Sequence, residues 1–346
     1  SMCLLLYTFW VNSPSPDIIS AVLVLYSVVF FIELKGNYSL ENTVLLAALI
    51  FTAIVFKLSN TFLALLLLPI LVSYSNYKIR GLKKLFFSML VLAVLIIGPF
   101  LARNVILSGY LVYPLAKVDL FDVDWKIPVS IVEEESLHIH TWAKIPRRDD
   151  AEVSQMKIHE WIPIWWQKKS MPFKMLIAGN LLSVIASILL IKKKRKTEII
   201  VISIIWLNLL FWFFSAPDPR FAHGFLICGA ALTLGTFGGE FLNKVSFKKG
   251  IFQKVFVASV ASTLILSIYT VREKALDMFS NNLIYPKIMA KNSLAHFEAP
   301  FQHSVPKGNN RCYNAELPCL PSGTKKVEMR SNNKYDGYRS IINYNE

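Results

Sequence analysis

Long unbroken apolar runs dominate this sequence, and they restrict it to folds whose helices can be apolar on every side. Leu85–Leu101 is apolar except for Ser88. Phe173–Ile191, Ile199–Phe214, Phe221–Phe241 and Ile251–Tyr269 read the same way, and Ile18–Leu34 is a shorter example. Each approaches the ~20 residues that a helix needs to cross a bilayer. A soluble bundle would need amphipathic helices to cover so many all-round apolar ones, and none remain to do it. Composition agrees: 54% of residues are hydrophobic, only 17% are charged, and mean hydropathy is +0.46. A soluble domain carries about 25% charge. A disordered chain, a collagen-like fibre and a disulfide-dense miniature are excluded. The expected fold is an all-α polytopic membrane protein.

Asn42–Val55 and Thr61–Ser73 are apolar but short for a span. Lys57–Asn60 separates them, which leaves open two tilted helices or one re-entrant hairpin. Neither choice changes the parity of the remaining spans.

The net charge of +14 would suggest nucleic acid in a soluble protein. Its distribution argues otherwise. Ser73–Lys84, Lys192–Lys196 and Leu242–Lys254 together hold thirteen cations and no acid. Following the spans in order places all three on one side, which is the cytoplasm by the positive-inside rule. They read as cytoplasmic anchors, with the lipid bilayer and no nucleic acid as partner. The other loops then face outward. The expected organisation is N-terminal helices over 1–103, an outward loop over 104–172, C-terminal helices over 173–271 and an exported tail over 272–346.

Ser1–Val11 is apolar but too short to span, and it lacks the basic start of a signal peptide. It reads as the end of a helix, so the chain is expected to be a fragment with further spans upstream. Cys3 and Cys228 sit in apolar runs as packing residues. Cys312 and Cys319 lie in the exported tail, where disulfides persist, and are expected to pair; two free thiols are the alternative. Leu317, Val327, Met329, Tyr335, Tyr338, Ile341 and Ile342 are spaced as short strands, with turns at Ser322-Gly323 and Asp336-Gly337.

The outward loop carries most of the possible chemistry. At 69 residues it far exceeds an ordinary connection, and such loops tend to be functional. Five of the eight tryptophans lie in it. Trp161, Trp165 and Trp166, just before a span, suit membrane-interface anchors. Trp125 and Trp142 suit platforms for a sugar ring. His138 and His140 would share one face of a strand, as metal ligands do, or be solvated. Asp122 and Asp124 have the same spacing and suit a hard cation or a base. A divalent cation is therefore the one cofactor the residues suggest. Glu133–Glu135 reads as a solvated face.

Three further positions lie at outer edges of spans. Asp17 precedes the first complete run and suits either a helix cap or a site acid. Lys57 interrupts an apolar stretch; an ionisable group at that depth is costly and faces a cavity or partner, or snorkels to the interface. Ser215-Ala-Pro-Asp218-Pro-Arg220-Phe221 is a proline-stiffened turn between two spans. Asp218 and Arg220 either pair with each other, or Arg220 meets an anion with its planar fork. Arg103 sits at an equivalent edge.

Spans around a long outward Trp/Asp/His loop, with a late Pro217-Asp-Pro-Arg-Phe221 turn opening a helix, resemble the GT-C superfamily of integral membrane glycosyltransferases. The stretches Ser13–Asp17, Arg103–Pro114, Asp124–Pro128, Pro217–Phe221 and Cys312–Cys319 also resemble a group of bacterial multi-pass proteins regarded as relatives of its mannosyltransferase-like branch. The resemblance implies a GT-C-like helical bundle in a bacterial inner membrane, with the long loop and C-terminus outside. It implies a polyprenyl-phosphate-linked sugar donor and a glycan, lipid or protein acceptor. Arg220 would bind the donor phosphate, with Arg103 and Lys57 beside it. Asp17 and Asp124 are the candidate catalytic acids; Trp125, Trp142, His140 and Asp218 would contact sugar or acceptor. The superfamily's acid in the first outer loop would lie upstream of Ser1. A transporter or flippase for an anionic lipid or solute is the competing reading, but it calls for internal repeats and several polar residues deep in the spans. Only Asn180, Asn208 and Lys57 offer themselves. A non-catalytic envelope assembly protein is the third.

Overall fold

A computed structural model describes residues 16–34, 36–77 and 79–244, with tail stretches at 261–262, 265, 294–297, 303–307, 327–331 and 338–340. It divides into two units, residues 1–100 with 137–270, and residues 101–136 with 271–346. Residues 104–136 of the long loop fall in the second unit and residues 137–172 in the first.

Helices dominate the described residues. They are α1 (Asp17–Leu34), α2 (Leu40–Phe56), a 3₁₀ segment (Leu58–Leu66), α3 (Leu67–Tyr77) and α4 (Ile79–Ser108). Then come α5 (Val129–Lys144), α6 (Asp150–Gln155), α7 (Ile158–Gln167), α8 (Met171–Lys192), α9 (Lys196–Ser215), a 3₁₀ turn (Pro219–Phe221) and α10 (His223–Lys244). Within α1, α4, α8 and α9 are stretches long and apolar enough to cross a membrane. Very little of α4 is buried by protein, so its Phe86, Phe87, Val94 and Leu95 face outward. Such a surface is stable against lipid and costly against water.

Local signals explain the boundaries. The Ser39 hydroxyl accepts from the Asn42 N–H at 3.2 Å and caps α2. Lys57 ends that helix in an extended conformation, its N–H turned back to the Ala53 and Ile54 carbonyls at 3.1 Å. The chain reverses there, and the 3₁₀ segment packs beside α2. Pro172 sits in the first turn of α8, where its missing N–H costs nothing.

The core of the first unit is aliphatic and aromatic, built around Val24, Phe31, Leu46, Ile50, Leu63, Leu66, Ile205 and Phe225. α10 is central, against α8, α1 and α9. Small residues make this possible. A Cβ on Gly229 would stand 1.9 Å from Asn180 Oδ1, and one on Gly224 would stand 2.7 Å from Val24 Cβ. Asn180 Nδ2 donates across the α8–α10 seam to the Leu226 carbonyl at 2.8 Å, and Thr233 Oγ1 to the Gly179 carbonyl at 3.0 Å.

In the second unit, Gly109 leaves α4 with φ +80°, a conformation open to glycine. Tyr110 is fully buried, its hydroxyl donating to the Ile127 carbonyl at 3.0 Å. The Tyr113–Pro114 peptide is cis. The tail departs from an all-α fold with two antiparallel hairpins. β1 (Leu294–Phe297) pairs with β2 (His303–Pro306), and β3 (Val327–Met329) with β4 (Tyr338–Ser340). The second hairpin uses Val327, Met329 and Tyr338 as the alternation predicts.

Candidate functional site

The Lys57 break brings an ammonium to the start of α1. Lys57 Nζ donates to Asp17 Oδ1 and, at 2.5 Å, to the Arg220 carbonyl. The two side chains are 11% and 9% exposed, so the pair is nearly dry. Lys57 also lies 5.1 Å from the centre of the Phe221 ring. Its neighbours lock the reversal in place. Ser59 Oγ donates to the Phe221 carbonyl at 2.7 Å, and Asn208 Nδ2 to the Ser59 carbonyl at 2.6 Å. Asn60 Nδ2 donates to Ser20 Oγ and to the Ala53 carbonyl, both at 2.8 Å. Backbone at apolar depth needs such partners, because no water is there to supply them.

Two indoles hold the turn that carries Arg220. Trp165 Nε1 donates to the Pro217 carbonyl and Trp212 Nε1 to the Asp218 carbonyl, each at 2.7 Å. Pro217 and Pro219 fix their own φ angles. Asp218 Oδ1 accepts from the Arg220 backbone N–H at 3.0 Å and from Arg220 Nε at 3.1 Å. The guanidinium lies over Trp142, 4.8 Å from the ring centre. It is 37% exposed, and among the described residues its two terminal amino groups take no hydrogen bond. His140, two residues before Trp142 on α5, turns its Nδ1 to the Ser215 carbonyl. In the neutral ring that leaves Nε2 as an acceptor.

The structure thus brings Asp17, Lys57, Asp218, Arg220 and Trp142 together, with His140 at the start of the same turn. It distributes their work unevenly. Asp17 and Lys57 pair with each other, whereas Arg220 presents an amino edge that makes no hydrogen bond among the described residues. The Nε–Asp218 contact is the pairing that the sequence offered as one of its two readings.

Arg103, Asp124 and Trp125 belong to the second unit. Arg103 is exposed on α4. Asp124 Oδ1 accepts from Arg330 Nη2 at 2.8 Å, and the same guanidinium covers the Trp125 ring at 5.0 Å. Trp125 Nε1 reaches the Val105 carbonyl at 3.4 Å. Lys126, raised above the ordinary lysine range by its hydrogen bond to Asp119, stands 5.2 Å over Tyr110. Cys312 and Cys319 lie outside the described residues.

Two expectations need correction. His138 and His140 lie on a helix, not a strand, so they diverge: His138 Nδ1 meets Asp150 Oδ2 at 2.7 Å instead. No group of three metal-ligating side chains occurs among the described residues. Trp161 and Trp165 are buried by protein rather than facing lipid as anchors would; Trp165 packs edge-on to Phe173 and Phe213, and Trp166 alone of the three is exposed. The roles of Trp165, Trp212, Ser59 and Asn208 were not read from the sequence. The available signal was a tryptophan pair ahead of one span and a tryptophan near the end of the next, flanking a rigid turn whose carbonyls need donors.

Fold and site define a predominantly helical chain with membrane-length apolar helices and a charged cluster at one end of the bundle. The chain belongs to the family described as a domain of unknown function (DUF8201), whose model matches residues 1–227. Every member of the cluster lies inside that stretch. No curated protein and no solved structure matches the chain.

Proposed function

We propose that this is a membrane glycosyltransferase of GT-C type, taking a sugar from a polyprenyl-phosphate donor with Arg220 holding the phosphate. One observation carries the reading: a half-exposed guanidinium clamped by Asp218 and Trp142, with its amino edge unused, at the end of an apolar helical bundle. A polyprenyl chain needs apolar helices, and its phosphate needs a planar cation where they end. The acceptor is a glycan, lipid or protein outside the cytoplasm of a bacterial inner membrane. Trp142 and His140 line the approach for sugar or acceptor. Asp17, paired with Lys57 beside Arg220's turn, is the candidate acid. A divalent cation would be held elsewhere than at this cluster, where each acid already has a cationic partner.

The test is transfer of labelled sugar from polyprenyl-phosphate donor in membranes. Arg220→Lys keeps charge but loses the fork, and should weaken donor use with normal folding. Arg220→Ala should lose about 2–3 kcal/mol of donor binding, the worth of a charged hydrogen bond. Because Arg220→Ala also strands Asp218, the Asp218→Asn/Arg220→Ala double variant is decisive. If it recovers transfer, Arg220 only neutralised Asp218 and the phosphate role is wrong. A wild type that moves the lipid across the bilayer without transfer is a flippase.

A further inference from the structure

A second feature of the first unit has no part in that chemistry. Val24 meets Gly224, so α1 and α10 run side by side in the same direction from the Asp17–Arg220 cluster. Farther along both, they and the start of α9 leave a groove of about 300 Å³. Leu25, Val29, Ile32 and Leu232 wall it, and Arg195, Glu198 and Thr236 stand at its mouth. From Leu25 to Ile32 it follows α1 for about 10 Å at the helical rise. Gly235 opens its floor: a Cβ there would meet nothing within 4 Å.

Arg195 lines the groove beside Glu198, within a run of five cations in sequence. Lys192–Lys196 are all exposed, and Lys194 turns the chain with φ 56°. Arg195 is 53% exposed, with one Nη on Glu198 Oε1. Glu198 holds that amino group and so aims the remaining guanidinium edge. An apolar slot lined by Arg195, with four exposed lysines beside it in sequence, matches a molecule that is a hydrocarbon at one end and an anion at the other.

We propose that this groove binds an acidic glycerophospholipid, one acyl chain along α1 and α10 and the headgroup phosphate against Arg195 and the Lys192–Lys196 run. The site rests on the helices lying in a membrane, but not on glycosyl transfer. The glycine matters because any larger side chain at 235 would fill the slot. The cations choose the headgroup, and the aliphatic wall accepts any chain.

The full chain should be placed in nanodiscs of equal parts phosphatidylglycerol and phosphatidylcholine, and retained lipid counted by native mass spectrometry after release. Wild type should keep phosphatidylglycerol several-fold over phosphatidylcholine. Gly235→Leu should reduce total retention several-fold while its thermal midpoint holds or rises, since leucine favours helix over glycine. Replacing Lys193, Lys194 and Arg195 with Gln should abolish the preference but not the retention. Equal retention of the two lipids by wild type, or undiminished phosphatidylglycerol in Gly235→Leu, overturns the site. A chain that stays soluble without detergent overturns the membrane reading itself, a separate result.

Discussion

Arg220 and Lys57 were both legible in the sequence as cations out of place, and the structure separates them by what surrounds each. Lys57 is consumed by Asp17 and the Arg220 carbonyl, whereas Arg220 keeps an unused edge. Removing one partner of a dry pair strands the other charge, which costs about 3–5 kcal/mol. Lys57→Met and Asp17→Asn should therefore each destabilise strongly, and the double variant should recover most of the loss in a thermal or denaturant melt. Additive losses would mean that the pair is not what holds the reversal at residue 57. If the folded double variant still transfers sugar, Asp17 and Lys57 are architectural and the acid lies elsewhere. Asp150 makes a milder, pH-dependent contribution. Hydrogen bonds from Thr141 and His138 hold its carboxyl below the ordinary carboxylate range. Its contribution is complete above the unfolded value of about 3.9 and fades as pH falls through the lower folded value. Asp150→Asn should raise backbone exchange over residues 137–155 at neutral pH, and erase the extra opening that acid causes in wild type. An unchanged acid response would assign that opening to another group.

Helical elements were the most readable part of the chain, because an all-round apolar run has few alternatives. Leu85–Leu101 and Phe173–Ile191 mark helices that the structure extends by a few residues at each end. What the runs did not reveal is which faces meet. Nothing in α8 read alone says that Asn180 faces Gly229, since a glycine's use depends on the partner helix. The same holds for Trp165 and Trp212, whose donors find carbonyls 52 and 6 residues away in the chain. The paired histidines misled because a two-residue spacing reads differently on a helix and on a strand. The α8–α10 seam gives the element-scale test. Gly229→Ala puts a methyl onto Asn180 Oδ1 and should cost about 1–3 kcal/mol as overpacking. Asn180→Ala relieves that clash, so the Gly229→Ala/Asn180→Ala pair should be less destabilised than the sum of its singles. Strict additivity in the melts would show that the two helices shift apart instead.

At the scale of the whole molecule, orientation decides whether the Arg220 cluster can meet an outward acceptor at all. Thirteen cations without an acid fall in three short loops, one of them the Lys192–Lys196 turn between α8 and α9. The 69-residue region that contains α5, α6 and α7 is net negative and joins α4 to α8. Positive loops resist translocation, so the Lys192–Lys196 turn is expected in the cytoplasm and α6 outside. Arg220 ends the turn that follows α9, one crossing from Lys194, so it shares the side of α6 if α9 spans. Two single-cysteine variants test this with a membrane-impermeant thiol reagent on intact cells. Lys194→Cys and Ala151→Cys are both at exposed positions. The background replaces Cys3, Cys228, Cys312 and Cys319. Position 151 should label in intact cells, and position 194 only after the membrane is opened. The reverse pattern would put Arg220 in the cytoplasm, where soluble nucleotide-sugars rather than polyprenyl-phosphate sugars supply glycosyl groups, and the proposed donor would be wrong. Labelling of both from one side would show that α8 or α9 turns back within the bilayer despite its length.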